Sequence, residues 1–343
     1  MKAVILVGGL GTRLKPLSIN TPKAMMPVVN APFLEYVIRR LGRHDVKHIV
    51  LAISHLPQPI MDFLGDGSRF GVRIDYTIEE KALGTAGAVK NAEKYLDEPF
   101  LALNGDVFTD LDITAMTAMH RQRRAMITIA LTPVEDPSSY GLIETDNDGR
   151  IRRFLEKPKA EEITTDMINA GTYILEPEVL RHIPPDTKFS FEHDVFPPLL
   201  QQGKPVYAFP SGCYWMDIGT PQKYHQLNRD LLSGRSNQYG INPKNQVVIG
   251  QSSKVHPSAK IMQPAVIGEG CTLAENTLIE DSIIWNNVGI GAGAVIRRSI
   301  IADGCRIGEG CILEDAVIAD NVTIAAGYKA ETGVKIWPGT RLG

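Results

Sequence analysis

An aliphatic residue recurs every five or six positions over the last third of the chain, at Val255, Ile261, Ile267, Leu273, Ile279, Ile284, Ile290, Ile296, Ile301, Ile307, Leu313, Ile318 and Ile324. An α-helix repeats at 3.6 residues and a strand at 2, so this spacing excludes both an amphipathic helix and a coiled coil. Every third member, Val255, Leu273, Ile290, Ile307 and Ile324, marks about one three-sided coil, and glycine follows the aliphatic residue at Gly268, Gly291 and Gly308. The physical reading is a triangular prism. Each flat side is a short strand, the aliphatic side chain points to the axis, and Gly or Asn takes the corner conformations that other residues resist.

The preceding two-thirds have a different character. Val4–Val7, Ile49–Ile53, Phe100–Leu103 and Ile127–Leu131 are short apolar runs that predict strands, while Phe33, Leu34, Val37, Ile38 and Leu41 repeat at helical spacing. Alternation of the two predicts an α/β domain with a mostly parallel sheet. A chain of 343 residues suits two folding units. The polar stretch from Asn228 to Gln238 marks the change, giving a first domain over 1–232, a linker over 233–250 and the prism over 251–343.

Composition narrows the partners. Thirty-six basic against thirty-nine acidic residues leave a formal charge of −3, which gives no electrostatic footprint for a nucleic acid. The apolar run Ala3–Val7 is too short for a signal-peptide core or a membrane span, so we expect a buried strand, no membrane partner and a cytoplasmic protein. Cys213, Cys271, Cys305 and Cys311 form no CxxC and no zinc spacing, and are expected to be reduced packing residues.

The chemistry concentrates in GGLGTRLKPLSINTPK, which follows the first predicted strand. Gly8, Gly9, Gly11 and Thr12 place a flexible backbone at a strand end, where open α/β sheets bind ligands. The loop is neither the dinucleotide fingerprint, because Leu14 stands where its third glycine belongs, nor a Walker A loop, because no GK[ST] closes it. Arg13 and Lys23 add two cations suited to a polyphosphate.

With these cations the segment resembles the signature of the sugar-nucleotide pyrophosphorylases, a family of nucleotidyltransferases. Further segments fit the resemblance in order: Glu79-Glu80 before Leu83-Gly84-Thr85-Ala86-Gly87-Ala88, Asn104-Gly105-Asp106, Phe154-Leu155-Glu156-Lys157-Pro158, Asn169-Ala170-Gly171 and Trp215-Met216-Asp217-Ile218-Gly219-Thr220-Pro221. One departure is that the family commonly has proline after the lysine of its PK motif, where this chain has Ala24-Met25-Met26. The aliphatic run resembles the hexapeptide repeat of left-handed β-helix proteins. The implied architecture is a Rossmann-like, mostly parallel α/β nucleotidyltransferase domain followed by a left-handed parallel β-helix.

The resemblance implies transfer of a nucleotidyl group from a nucleoside triphosphate to a sugar 1-phosphate with release of pyrophosphate. It implies Arg13, Lys23, Asp106, Lys157 and Asp217 as catalytic residues, with Mg²⁺ on Asp106 and Asp217. Gly8, Gly9, Gly11, Thr12, Glu79, Gly84 and Thr85 are the implied nucleotide contacts, and Gly141, Glu156, Asn169 and Gly171 the implied sugar contacts. Within the family the motifs favour GTP and mannose 1-phosphate. Thymidylyl or uridylyl transfer to glucose 1-phosphate, or a non-catalytic sugar-nucleotide-binding subunit, are the alternatives. Some relatives carry an acyltransferase site in the β-helix, which needs a base, usually histidine. Residues Ile261 to Gly343 contain no histidine and His256 lies at the entry, so we expect the β-helix to serve homo-oligomeric assembly or regulation.

Overall fold

The computed structural model describes residues 1–236 and 246–343, so the middle of the expected linker, 237–245, lies outside the described residues. Contacts gather the chain into two compact units that are not contiguous in sequence. The first is Met1–Gly9 with Val37–Trp215, and the second is Leu10–Tyr36 with Met216–Gly343.

The first unit is built on a nine-stranded sheet. Its middle is parallel: Lys2–Val7 pairs with His48–Ile53 and with Phe100–Asn104, and His48–Ile53 pairs with Arg73–Ile78. Met167–Leu175 then runs antiparallel to Phe100–Asn104 and to Ile127–Pro133, and Gly141–Thr145 pairs antiparallel with Ile151–Glu156. The central parallel strands, Lys2–Val7, His48–Ile53 and Phe100–Asn104, are mostly apolar and buried because both faces are covered, while the outer strand Arg73–Ile78 alternates polar with apolar residues. Val4, Val50, Ala102 and Phe100 join Ala86, Val89, Phe191 and Phe196 in one core cluster. All four predicted strands are present, at Lys2–Val7, His48–Ile53, Phe100–Asn104 and Ile127–Pro133. The helical spacing at Phe33 to Leu41 forms the helix Phe33–Arg43, with all five apolar residues buried.

The second unit is dominated by a left-handed parallel β-helix. One side is a six-stranded parallel sheet of two-residue strands, from Lys254–Val255 through Thr272–Leu273, Gly289–Ile290, Arg306–Ile307 and Thr323–Ile324 to Arg341–Leu342. The coil repeat is 17 residues between Asn286 and Asp303 and 18 between Ser252 and Gly270, as bonds from one coil to the next record. The repeat aliphatics from Ile267 to Ile324 form the core cluster, with Val255 and Ile261 partly buried against it at the open end. Removing each such side chain from water contributes about 1.5–3 kcal/mol, so the column stabilises the prism coil by coil. Cys271, Cys305 and Cys311 are free thiols buried in this cluster.

The corners correct one detail of the sequence reading. Gly268, Gly291 and Gly308 do not adopt left-handed backbone; a Cβ on Gly291 or Gly308 would lie 2.5 Å from a backbone nitrogen of the next coil. They are glycine because adjacent coils approach closely there. Left-handed backbone is taken by other residues, among them Gly270, Gly293, Asn276, Asn287 and Asn321, and also by Asp281, Arg298 and Asp315. The prism also continues past Ile324 to Ile336 and Leu342, after an irregular stretch containing the left-handed Gly327 and Gly333.

The same unit includes the helix Pro221–Leu232, which starts on Thr220 as a side-chain cap with proline at its first position. This helix extends through the first residues of the polar stretch that begins at Asn228.

Candidate active site

In the first unit the carboxyl ends of three parallel strands gather expected residues along one edge of the sheet. Gly8 and Gly9 follow Lys2–Val7, Asp106 follows Phe100–Asn104, and Glu79 follows Arg73–Ile78. Gly105 N donates to Leu6 O, and Ser54 Oγ donates to Gly8 O at 2.7 Å, so neighbouring strand ends tie the glycine turn down. This edge is where open parallel sheets bind their ligands.

Glu79 is buried and accepts the Leu83 N–H at 2.8 Å, bridging the loop that leads into the helix Gly84–Asn91. Burial pushes its carboxyl above the usual range, against the opposing pull of that N–H. The first amides of the helix are used internally: Ala86 N and Gly87 N donate to Phe189 O. The Thr85 hydroxyl donates to Glu192 at 2.8 Å and accepts the Phe191 N–H at 2.9 Å. Glu79, Gly84 and Thr85 thus shape the loop through protein contacts of their own.

A second group in this unit joins Gly141, Glu156, Lys157, Asn169 and Gly171. Gly141 has no room for a side chain, since a Cβ there would sit 2.6 Å from the Phe154 ring and 3.0 Å from Glu156 Oε2. Lys157 adopts left-handed backbone with φ of 50° and donates its N–H to Tyr140 O. Asn169 Oδ1 accepts the Gly171 N–H, while Asn169 Nδ2 donates to the Tyr173 hydroxyl, which donates on to Glu192. Trp215 Nε1 donates to Ala170 O at 3.0 Å, and its ring meets Tyr140 edge-on. Burial raises the Glu156 carboxyl, and the nearby charge of Glu192 raises it further. Carboxylate, amide and backbone groups of this kind suit the hydroxyls of a sugar, and the nearby Lys157 adds a cation whose charge opposes the rise at Glu156.

The second unit holds the cationic part. Gly11 is left-handed with φ of 58°, and its carbonyl accepts the Ser18 hydroxyl at 2.7 Å. Arg13 lies in the short 3₁₀ turn Thr12–Leu14, and Lys23 opens another at Lys23–Met25. Asp217 ends the strand Trp215–Asp217 with its side chain 14% exposed. A Cβ on Gly219 would lie 2.8 Å from Asp217 Oδ2 and 3.1 Å from Arg13 Nη2, so carboxylate and guanidinium converge on this glycine. Lys223 Nζ donates to Asp217 Oδ1.

Of the expected set, the structure brings Gly11, Thr12, Arg13, Lys23 and Asp217 into the second unit and the remainder into the first. Glu192 and Lys223 are additions that sequence reasoning missed. Lys223 follows the Trp215–Pro221 motif on the first turn of a helix, which was the available signal. Glu192 sits in Phe191-Glu192-His193-Asp194, where local pattern says nothing of its reach to Thr85 and Tyr173. Among the described residues no group of three or more His, Cys, Asp or Glu side chains could hold a metal by itself, and no helix is long and apolar enough to cross a membrane.

Residues 2–234 match the family model described as nucleotidyl transferase, and residues 236–334 match that of the EIF2B subunit epsilon LbH domain. The chain is 41% identical to a mannose-1-phosphate guanylyltransferase of Mycobacterium tuberculosis, over 99% of this chain and 95% of that protein. It is 34% identical to a UTP–glucose-1-phosphate uridylyltransferase of Synechocystis, over 86% and 85% of the two chains. Among solved structures, HddC from Yersinia pseudotuberculosis complexed with GMP-PN aligns with a TM-score of 0.57 and 33% identity, covering 66% of this chain and 97% of that one.

Proposed function

The chain belongs to the nucleotidyl transferase family, and from that premise we propose that it transfers a guanylyl group from GTP to mannose 1-phosphate, forming GDP-mannose and pyrophosphate. The observation that carries the substrate pair is the 41% identity to a mannose-1-phosphate guanylyltransferase along 99% of the chain. The 34% identity to a uridylyltransferase supports UTP and glucose 1-phosphate as the second reading.

In this reading residues 1–232 form the catalytic domain, 233–250 a linker and 251–343 the β-helix. A sugar-phosphate oxygen attacks the α-phosphate of the nucleotide in line, and pyrophosphate leaves with the electron pair of the broken P–O bond. A phosphate monoester is already ionised near neutral pH, so no general base is required. Position and charge supply the catalysis. Lys157 orients the attacking phosphate. Arg13 stabilises the departing pyrophosphate, and Lys23 contacts the phosphates. Gly8, Gly9, Gly11 and Thr12 approach the phosphates through their backbone, and Glu79, Gly84 and Thr85 shape the base loop. Gly141, Glu156, Asn169 and Gly171 receive the sugar, with Glu192 holding Tyr173 and Thr85 behind them.

The residues present fit a hard divalent cation. Asp106 and Asp217 offer carboxylate oxygens, and the Lys223 ammonium at Asp217 Oδ1 supplies there the kind of charge such a cation would bring. We propose Mg²⁺ as that cation: Asp106 and Asp217 would hold it, and it would offset charge on the phosphates. A nucleoside triphosphate and a sugar phosphate are cytoplasmic metabolites, which supports that location. The stacked faces of the β-helix support a homo-oligomer, which sedimentation of the full chain tests directly.

Crossing GTP, dTTP and UTP with mannose and glucose 1-phosphates in a pyrophosphate-release assay tests the substrate reading. The highest kcat/KM is expected for GTP with mannose 1-phosphate. A maximum at UTP with glucose 1-phosphate would replace it, and no turnover on any pair would overturn catalysis in favour of a binding subunit.

A further inference from the structure

The compact unit that contains the β-helix also contains Leu10–Tyr36, the segment that carries Arg13 and Lys23. Three attachments hold this segment to the coils. Asn20 Nδ2 donates to Asp320 Oδ2 at 3.1 Å. Asn30 Nδ2 donates to Ile267 O at 2.7 Å. The Tyr224 hydroxyl donates to Pro27 O and itself accepts the indole N–H of the buried Trp285 at 3.0 Å.

Each attachment sits where the loop needs holding. Val29 and Asn30 form a turn with φ of 45° and 64°, between the paired strands Pro27–Val28 and Ala31–Pro32. A β-branched residue resists left-handed backbone, which persists only where the surroundings over-determine it. Here Asn228 Oδ1 accepts the Val29 N–H at 2.8 Å while Asn30 reaches the coil carbonyl. At the other end, Asn20 lies two residues beyond Ser18, whose hydroxyl holds the Gly11 carbonyl. Asp320 is 5% exposed, and its Oδ1 is buried without a hydrogen-bond partner. A carboxylate kept in that position for packing alone would be costly. Its bond to Asn20 is a function for which the position is suited.

We propose that Asp320 of the β-helix is a positioning residue for nucleotidyl transfer, acting through Asn20 to fix the loop that presents Arg13 and Lys23. The β-helix is on this account part of the catalytic apparatus rather than only an assembly module. The proposal rests on the nucleotidyltransferase reading above. It requires that misplacing the loop by a fraction of an ångström weakens charge stabilisation of the pyrophosphate while leaving the sugar contacts alone.

The test uses the full chain. Asn20 is exposed, so Asn20→Ala probes the bond without disturbing the interior of the coil. Asn20→Ala and Asp320→Ala should each lower kcat about tenfold and raise KM for the nucleotide, with KM for the sugar phosphate unchanged. The double variant should be no worse than the worse single one, and Asn20→Asp combined with Asp320→Asn, which reverses donor and acceptor, should restore kcat. Amide exchange over residues 10–26 should quicken about tenfold in Asn20→Ala. Wild-type kcat in Asn20→Ala, additive losses, or a loss of kcat without faster exchange would each overturn the proposal. A wild-type protein inactive on every substrate pair would overturn the nucleotidyltransferase reading, and the exchange measurement would still decide whether Asp320 holds the loop.

Discussion

The sheet unit and the coil unit place polar groups by opposite routes. In the sheet unit Glu156, Asn169, Thr85 and Glu192 come from two strands, a helix and a helical turn, and are drawn together by bonds such as Thr85 to Glu192 across 107 residues of sequence. In the β-helix many polar groups sit one coil from their counterparts. Arg297 lies between Glu280 and Glu314, and the Ser282 hydroxyl accepts the Ser299 N–H 17 residues on. Convergence from many elements can surround a ligand on several sides. Stacking repeats one environment along a line and gives a stiff frame. The difference teaches why the sheet unit carries the cluster of carboxylate and amide groups, while the coils brace a loop through Asn20 and Asn30.

The comparison breaks most visibly at the charged groups. Asp217→Ala and Arg13→Ala should each cut turnover about 10²–10³-fold and leave the melting transition in place, as followed by pyrophosphate release and by calorimetry. Wild-type turnover in a folded Asp217→Ala protein under limiting Mg²⁺ would remove Asp217 from the metal assignment.

Core truncation probes the frame. Ile301 is fully buried in the coil column, and Ile301→Ala should cost about 2–5 kcal/mol in denaturant titration. If the column behaves as a stack of neighbours, truncating Ile267 near its open end should cost less than truncating Ile301.

The Glu156 cluster should respond in binding first. Glu156→Gln should raise KM for the sugar phosphate about tenfold with little change in KM for the nucleotide. Equal rises for both substrates would mean that Glu156 shapes the unit as a whole.

The smallest effect concerns pH. Burial raises the Asp303 carboxyl, against the Asn286 N–H it accepts and with help from the charge of Asp320. The folded state therefore binds this proton more tightly than the unfolded chain. Its contribution to stability is complete below the ordinary value of 3.8 and is lost as pH rises through the raised folded value. Asp303→Asn keeps an acceptor for Asn286 and removes the ionisation. Its melting temperature relative to wild type should climb from acid toward neutral pH by about 2–4 °C, and a constant difference across that range would contradict the assignment.

Periodicity and punctuation made much of this legible before any coordinates. The aliphatic spacing from Val255 to Ile324 specified a three-sided coil, because a side chain that must point to a common axis once per flat face leaves a count in the sequence. The strand runs and the glycine turn after Val7 likewise located the carboxyl edge of the parallel strands. Residues whose partners lie far away along the chain left no such count. Glu192 looks like any exposed acid until Thr85 and Tyr173 are seen to reach it. The glycines after the aliphatic residues look like corner residues until the next coil is seen 2.5 Å from where a Cβ would be.

By itself the sequence determined the kinds of element, the existence of the prism and the class of reaction, because each follows from local spacing or from an ordered set of motifs. Only the tertiary structure decided that the loop with Arg13 and Lys23 packs with the coils, and that a buried carboxylate at Asp320 reaches it through Asn20. Those two residues stand 300 positions apart. A hydrogen bond at that separation depends on how every intervening coil closes, and no local pattern records it.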